Sequence, residues 1–358
     1  MAPVIWELKK QKWARPMVWS TAQHRDMLGP LLRFLRIDVD HDFDVMTENQ
    51  DLSSLAARVL QQIHAQIDAE RPDLIIAQGD TTTVMATALA AFHARVPFAH
   101  IEAGLRTGDL SEPFPEEFNR VLAGRVATLH FAPTESAYAN LVAEGTNPDT
   151  IWITGNTVID TLLDTRERLG GDPNLPVTLN EGQRLMLVTL HRRESFGIGL
   201  DNVFAAICLL LERFPDLVVL YPVHPNPNVR IRAHELLGGL ERVKLVEPLD
   251  YGRLVHALSI STLVLTDSGG LQEEAPALGK PVFVARSTTE RPEALTLGCA
   301  RLVGTDTPTI FREVSAALSD PAVFAKMSQG ASPYGDGRAA PRIVEHIRAW
   351  GDACALRV

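Results

Sequence analysis

Short apolar runs alternate with longer amphipathic segments along most of this 358-residue chain. In the first half the apolar runs are PMVWST (16–21), DLIIAQG (73–79), VPFAHIEAG (96–104), TLHFAPT (128–134) and TIWITG (150–155). Runs of this length separated by helical stretches are typical of βα units, in which successive strands lie parallel. The pattern therefore predicts an α/β fold with parallel sheets. A helix is predicted before the first strand, because Val4, Ile5 and Leu8 have helical spacing.

The alternation pauses at LGGDPNLPVTLNEGQ (169–183), which is rich in glycine, proline and asparagine. Six more strands are then predicted, at RLMLVTLH, DLVVLYPVH, RVKLVEP, STLVLTDSGG, KPVFVAR and ARLVG. We expect two Rossmann-like domains, residues 1–168 and 169–338, facing a cleft, with the site at the carboxyl ends of their strands. The amphipathic segment within residues 339–358 is expected to form a helix that packs back toward the first domain.

Charge and cysteine content restrict the class of protein. The formal net charge of -10 and the pI near 5.6 oppose binding to nucleic acid or to an anionic membrane. Cys208, Cys299 and Cys354 are far apart and form no CxxC pair, which suits a reducing cytoplasm. No apolar run is long enough to span a membrane, and the start lacks the order of a signal peptide. We expect a cytoplasmic protein.

Carboxylates follow the predicted strands of the first half. Asp80 follows AQG, Glu102 follows VPFAHI, and Glu116 and Glu117 follow a proline at a helix start. Asp80 is open to a second interpretation as a helix N-cap, and Glu116 and Glu117 to one as acids that complement a helix dipole. Glu102 has no such duty, since it ends an apolar strand before a glycine. A carboxylate placed there is a candidate for proton transfer.

The second half has the features of an anion site. The stretch LTDSGGLQEEAPALGKPV (265–282) places a glycine turn before a helix start, where backbone amides favour a phosphate. His191, with Arg192 beside it, follows another strand, and Arg291 precedes a further helix. Solvated loop charges are the alternative interpretation of the His191 group. Glu273 is expected to be solvated or to complement the helix dipole.

The stretch DVDHDFD (38–44) alternates aspartates as some metal sites do. It lacks the glycine and terminal glutamate of a calcium-binding loop, so a solvated acidic edge is the preferred interpretation. No HExxH motif or Cys/His set suggests another metal. We therefore expect chemistry carried by side chains, with no metal.

Polar motifs follow one another along almost the whole chain: TAQHRDML, QGDTTT, HIEAGLRTGD, PEEFNR, TGNTVID, TLHRRESFG, VHPNPNV, TDSGGLQEEAPALGKPV, TTERPEA, RLVGTD and PYGDGRA. In this set and order the chain resembles the non-hydrolysing bacterial UDP-N-acetylglucosamine 2-epimerases. The resemblance implies a GT-B-like pair of domains, a homodimer, and an isomerase that interconverts UDP-GlcNAc and UDP-ManNAc without a nicotinamide cofactor. The product would feed cell-surface polysaccharide biosynthesis.

The resemblance also implies roles for individual residues. UDP would be held by His191, Ser268, Gly269, Gly270, Glu274 and Arg291. Asp80, Glu102, Glu116 and His191 would be catalytic, as UDP is eliminated to give 2-acetamidoglucal and then added back. An allosteric UDP-GlcNAc would contact Gln23, His24, Arg192 and His224. Which carboxylate serves which face of C2 stays open.

Family members carry a strand and a GTRPEAIK-like turn before the segment that matches MAPV, whereas this chain starts at that methionine. The resemblance thus implies an incomplete first sheet and weaker binding of the diphosphate. Three alternatives stay open: a hydrolysing epimerase that releases UDP and free ManNAc, a GT-B glycosyltransferase, and, if the missing strand abolishes turnover, an inactive protein that only binds a sugar nucleotide.

Overall fold

The computed structural model describes residues 1–21, 25–45, 51–170, 174–192, 197–329 and 332–355. The chain divides into two compact units. Unit 1 comprises Met1–Thr161 and Tyr334–Val358, and unit 2 comprises Leu162–Pro333. The dividing points lie within one helix and in the loop before the last helix, whereas the sequence boundaries stand at 168/169 and 338/339.

Unit 1 contains one two-stranded and one four-stranded parallel sheet in its described residues. Its strands are β1 Trp19–Ser20, β2 His41–Asp42, β3 Ile75–Gln78, β4 Phe98–Ile101, β5 Leu129–Ala132 and β6 Ile151–Ile153. Its helices are α1 Ala2–Lys9, α2 Arg25–Phe34, α3 Leu52–Glu70, α4 Thr82–Ala94, α5 Glu116–Val126, α6 Glu135–Ala143, α7 Thr157–Leu169, which continues into unit 2, and α15 Ala339–Ala355. The larger sheet has the order β3-β4-β5-β6, and β1 pairs with β2.

The carboxyl ends of β3 and β4 lie side by side. Gln78 pairs with Ile101, and the amide of Gly79 donates to the Ile101 carbonyl at 3.0 Å. Beyond this pair the chain continues with Gly79 and Asp80 after β3 and with Glu102 after β4, so the pairing brings Asp80 and Glu102 to one edge of the sheet.

The last helix belongs to unit 1 because its apolar stripe enters the core of that unit. Ile343 and Ile347 of α15 pack with Val4 of α1 and with Phe131 of the sheet. Asp160 caps the start of α15, since its carboxylate accepts the amides of Ala340 at 2.8 Å and of Ala339 at 3.1 Å.

In its described residues, unit 2 is built on one six-stranded parallel sheet in the order β12-β11-β10-β7-β8-β9. Its strands are β7 Arg184–Thr189, β8 Leu217–Pro222, β9 Val243–Val246, β10 Leu263–Thr266, β11 Val282–Val284 and β12 Ala300–Leu302. Its helices are α8 Ile198–Arg213, α9 Pro227–Leu237, α10 Tyr251–Ile260, α11 Leu271–Ala277, α12 Pro292–Thr296, α13 Thr307–Ser319 and α14 Pro321–Met327.

The strand order of unit 2 reverses between β7 and β10. The chain winds from β7 toward β8 on one side and from β10 toward β11 on the other, and Thr189 pairs with Thr266 at the carboxyl ends. A ligand site in a doubly wound sheet lies at such a reversal, beyond the strand ends. His191 and Ser268 are each the second residue after these strand ends.

The expected α/β class with parallel sheets is confirmed. Each predicted strand appears as a shorter strand within its apolar run, and the first and last helices form as the spacing predicts. In the part of the chain that the structure describes, every helix is too short or too polar to span a bilayer. Asp38, Asp40, Asp42 and Asp44 are exposed, as a solvated acidic edge requires.

Candidate functional site

The glycine turn of unit 2 connects β10 to α11 at the point where the strand order reverses. The amide of Ser268 donates to Thr266 Oγ1 at 2.9 Å and is therefore occupied. In the described part of the chain the amides of Gly269 and Gly270 make no hydrogen bond. The Ser268 hydroxyl stays close, since an added Cβ on Gly270 would lie 4.0 Å from Ser268 Oγ and 3.8 Å from Glu274 Oε2. Two amides, a hydroxyl and a carboxylate thus surround one short turn.

Arg291 lies directly against this turn. A Cβ added to Gly269 would lie 2.9 Å from Arg291 Nη1, so only glycine leaves room for the guanidinium. Nε of Arg291 donates to Glu273 at 2.5 Å, and Nη1 donates to Glu290 at 2.5 Å. Burial opposes the charge on Glu290, but Arg291 and Arg286 outweigh it and lower the pKa of Glu290 to about 2.

The expectation that Glu273 is solvated is wrong. Its side chain is 2% exposed and forms the ion pair with Arg291. The reason is tertiary, because α11 is a short helix whose residues 271 to 276 are all buried. Glu273 therefore orients the arginine.

Glu274 is the second buried carboxylate of α11. Burial, opposed by a hydrogen bond from the Tyr251 hydroxyl at 3.0 Å and assisted by the charge of Glu273, raises the pKa of Glu274 to about 7. Burial and the neighbouring Glu274 raise the pKa of Tyr251 in turn. The tyrosine fixes one carboxylate oxygen, Oε1, while the other, Oε2, lies at the glycine turn.

Asp267 holds the loop that carries His191. Asp267 is fully buried, and its Oδ2 accepts the backbone amides of His191 and Arg192, each at 2.9 Å. Nδ1 of His191 lies 2.9 Å from Asp267 Oδ1, which leaves Nε2 as the ring nitrogen available to a ligand. The ring of His224 stacks on that of His191 at 5.9 Å between centroids, and burial together with the charge of His191 lowers the pKa of His224.

In unit 1 Asp80 is not a helix N-cap. Thr81 caps α4, with its hydroxyl accepting the amide of Val84. The Asp80 carboxylate instead accepts Nη2 of the buried Arg120 at 2.5 Å. The second interpretation offered by the sequence is therefore excluded, and the carboxylate is held at the end of β3.

Glu102 occupies a strained backbone position beside Asp80. Its φ is +65°, in the left-handed region that residues other than glycine rarely adopt. Gln78 Nε2 donates to Glu102 Oε2 at 3.4 Å, and the same oxygen lies 3.7 Å from the position of an added Cβ on Gly79. Such strain at a strand end indicates a functional position.

The two glutamates at the start of α5 differ. Glu116 is half-exposed and makes no hydrogen bond or ion pair to any other described residue. Glu117 is 1% exposed and pairs with Arg120 at 3.1 Å, so it is not a solvated acid of the helix dipole. The two glutamates differ in exposure because the turn of the helix directs adjacent residues to different sides.

The structure thus groups Ser268, Gly269, Gly270, Glu274 and Arg291 around one turn of unit 2 and reaches His191 through Asp267. It brings Asp80 and Glu102 together in unit 1 and connects the start of α5 to them through Arg120. Gln23 and His24 lie outside the described residues. Four residues that contact these groups are not predicted from the sequence: Arg120, Asp267, Tyr251 and Glu290. Arg120 lies inside the motif PEEFNR and Asp267 inside TDSGG. Their place in these polar motifs is the sequence feature that could have identified them as site residues.

Comparisons with known proteins give the same family over nearly the whole chain. A family model described as UDP-N-acetylglucosamine 2-epimerase matches residues 6–348. The chain is 46% identical to a probable UDP-N-acetylglucosamine 2-epimerase of Ralstonia nicotianae, covering 98% of this chain and 95% of that protein. It is 44% identical to the UDP-N-acetylglucosamine 2-epimerase of Escherichia coli K12, with coverages of 97% and 94%. A crystal structure of the UDP-GlcNAc 2-epimerase of Neisseria meningitidis bound to UDP-GlcNAc matches with a TM-score of 0.91 and 40% identity, covering 98% of this chain and 96% of that chain.

Proposed function

The chain belongs to the UDP-N-acetylglucosamine 2-epimerase family and is an isomerase, and from this premise we propose how its residues interconvert UDP-GlcNAc and UDP-ManNAc. The C2 proton of the substrate is not acidic, so direct inversion is difficult. A base takes this proton while the C1–O bond to UDP breaks, giving UDP and 2-acetamidoglucal. An acid then protonates C2 from the opposite face as a UDP oxygen bonds again to C1. Two proton-transfer groups are therefore required.

We assign the proton transfers to Asp80, Glu102 and Glu116. The observation that carries this assignment is the pair of carboxylates at the ends of adjacent strands, one of them on a strained backbone. Glu116 adds a third, half-exposed carboxylate able to exchange protons with solvent. A glycosyltransferase has no need of this set, which favours the epimerase over that alternative.

The UDP is assigned to unit 2. The amides of Gly269 and Gly270, the Ser268 hydroxyl, Arg291 and His191 form a donor set for a diphosphate, whose charge increases as it leaves C1. Glu274 Oε2 serves as an acceptor for the ribose hydroxyls. Phosphate donors and a ribose acceptor at one turn fit a nucleotide better than a bare anion.

The test is incubation with UDP-GlcNAc in deuterium oxide, following C2 by NMR. We expect UDP-ManNAc with deuterium at C2. Accumulation of UDP and free ManNAc would instead indicate a hydrolysing enzyme. Binding without exchange would indicate a protein that only holds the sugar nucleotide, and transfer of GlcNAc to an acceptor would indicate a glycosyltransferase.

Three further proposals concern the setting of the enzyme. We propose that it acts in the cytoplasm, in keeping with three free thiols, and as a homodimer, which light scattering on the purified protein tests. We also propose that Arg192 and His224, together with Gln23 and His24, bind an activating UDP-GlcNAc. Sigmoidal kinetics that become hyperbolic in an Arg192→Ala variant would support this regulation, and unchanged kinetics would contradict it.

A further inference from the structure

Arg120 is buried between two carboxylates that come from different segments of unit 1. Its side chain is 5% exposed, with Nη2 donating to Asp80 Oδ2 at 2.5 Å and Nη1 donating to Glu117 Oε2 at 3.1 Å. Asp80 follows β3, and Glu117 lies in the first turn of α5. One planar guanidinium therefore connects a strand end to a helix start. It reaches the two carboxylates from two separate nitrogens, whereas an ammonium group would have to meet both at a single nitrogen.

Glu117 extends this link to the loop that follows Glu102. Its Oε1 accepts the backbone amides of Thr107 and Gly108, each at 3.0 Å. Both carboxylate oxygens are thus in use, one by the loop and one by Arg120. Glu116 precedes Glu117 in the helix, so the same group fixes the segments that carry all three assigned carboxylates.

Two further side chains hold the backbone at Asp80. Asn119 Nδ2 donates to the Asp80 carbonyl at 2.9 Å, and His100 Nε2 lies 2.8 Å from the Gly79 carbonyl. Burial lowers the pKa of His100 to about 4, so the ring is neutral and donates its one N–H to that carbonyl. Asp80 is therefore restrained at its side chain, at its own carbonyl and at the carbonyl before it.

The buried cluster of Arg120 with two carboxylates is not explained by the stability of the fold. Desolvating a guanidinium and two carboxylates is costly, and apolar side chains of equal volume often stabilise a fold as well or better. A proton-transfer site, in contrast, needs its groups fixed, since a misplacement of about 1 Å can cost about 100-fold in rate.

We propose that Arg120, acting with Glu117, is a positioning residue that fixes Asp80 relative to Glu102 and Glu116. The proposal rests on the proposed function, in which these carboxylates transfer the protons at C2. Arg120 itself exchanges no proton with the sugar. Its effect is to keep the acid and base groups at distances that suit the substrate.

Arg120→Lys tests the proposal, because it keeps the charge but offers one ammonium group to two carboxylates. We expect kcat to fall about 100-fold while KM changes by less than about threefold. Since partial unfolding of unit 1 would also lower kcat, the folded fraction of that unit is followed by tryptophan fluorescence, because all five tryptophans of the chain belong to it, and the rate is expressed per folded molecule. Arg184→Lys is the matched control. Arg184 makes a two-point contact with Asp216 at the amino end of β7, away from the assigned groups, and this variant should keep the wild-type kcat.

A second variant guards against a buried unpaired charge. In Glu117→Gln/Arg120→Gln the charges of Glu117 and Arg120 are removed together. The new amide oxygen at 117 can still accept the Thr107 and Gly108 amides. We expect this protein to melt near the wild type and to show the same loss of kcat. Wild-type kcat in this variant would overturn the proposal.

Asp80→Asn distinguishes the role of Asp80 in proton transfer from the role of Arg120 in positioning it. Activity in Asp80→Asn would contradict the proposed role of Asp80 itself. If Asp80→Asn is impaired and Arg120→Lys is not, the positioning role is overturned and the proposed function stands. Deuterium entry at C2 over long incubations is then compared in Asp80→Asn with and without Arg120→Lys. In the Asp80→Asn background, adding Arg120→Lys should lower the rate of deuterium entry by less than about threefold, because the effects of coupled residues are not additive. An equal loss of rate in the wild-type and Asp80→Asn backgrounds would overturn the proposal.

Discussion

At the scale of single residues, the partners of a charged side chain decide its chemistry more than its type does. Glu273 and Glu274 are adjacent and both buried, yet one pairs with Arg291 and the other accepts the Tyr251 hydroxyl. The ion pair keeps Glu273 engaged with the arginine. Among the described residues no cation offsets the burial of Glu274, and its pKa rises to about 7. The two carboxylates of one motif therefore have different partners, and we assign only Glu274 to the ribose.

Glu274 makes the stability of unit 2 depend on pH. Because the pKa is raised from 4.5 to about 7 on folding, the folded protein holds the proton more tightly than the unfolded chain. The contribution of Glu274 is thus most favourable at low pH and is lost as the pH rises through about 7. The unfolding free energy of the wild type relative to Glu274→Gln should fall by about 2 kcal/mol from pH 5 to pH 8.

Denaturant titrations of both proteins across this range provide the measurement. Glu241→Gln, which changes an exposed carboxylate of the same unit, is the control and should follow the wild type. A constant difference between the wild type and Glu274→Gln at every pH would contradict the raised pKa.

Gly269→Ala is expected to weaken UDP binding by about tenfold. The added Cβ would lie 2.9 Å from Arg291 Nη1 and 3.0 Å from Glu290 Oε1, so the guanidinium must move away from the turn. Loss of one charged hydrogen bond accounts for a change of this size. Calorimetry with UDP measures it. Gly239→Ala, where an added Cβ meets nothing within 4 Å, is the control, and equal affinities in the two variants would refute the steric argument.

At the scale of elements, short connections place the functional groups. Pairing of β3 with β4 puts Asp80 beside Glu102, and pairing of β7 with β10 puts His191 beside Asp267. The start of α5 supplies Glu117 and Arg120 within one helical turn. The two strand pairings, in contrast, bring together residues that lie far apart in the sequence.

The cap on α15 is a test at this scale. Asp160→Ala removes the acceptor of the Ala339 and Ala340 amides and should lower the free energy of unfolding by about 2 kcal/mol. Asp352→Ala on the exposed face of the same helix should change it by less than about 0.5 kcal/mol. Denaturant unfolding monitored by tryptophan fluorescence suits the measurement, since Trp350 lies in α15. Equal effects of the two substitutions would show that the cap contributes nothing.

At the scale of the whole molecule, the chain is two units with separate cores. The core of unit 2 surrounds the six-stranded sheet, and α1 and α15 complete a core of unit 1. The groups assigned to UDP all belong to unit 2, and the carboxylates assigned to proton transfer all belong to unit 1. The proposed assignments therefore give nucleotide binding and proton transfer to different units of one chain.

This division predicts where UDP alone slows amide hydrogen exchange. Protection should concentrate in unit 2, at residues 190–192 and 267–274, because the donor set for the diphosphate lies there. Exchange measured by mass spectrometry with UDP, and with uridine as the control, separates the diphosphate contribution from that of the nucleoside. Protection that appears only around Asp80 and Glu102 would contradict the assignment of UDP to unit 2.

The sequence by itself determined the class of fold, the order of most elements and the motifs of the site. Strands buried on both faces must be apolar throughout, and helices that cover them must be amphipathic, so this alternation is visible in the chain. The glycine turn of LTDSGG and the carboxylate at Glu102 are equally local signals, because each depends on its own neighbours.

Only the tertiary structure decided which charges are paired. Glu117 and Glu273 stand in helix first turns, where solvated acids are common, and both are buried because Arg120 and Arg291 are folded against them. Asp80 could have capped α4, but Thr81 takes that place and Arg120 takes the carboxylate. Burial and ion pairing depend on how distant segments pack: Asp80 lies 40 residues from Arg120, and the pair of Arg120 with Glu117, only 3 residues away, is buried by the fold around it. Such a choice is made by packing, which no local pattern records.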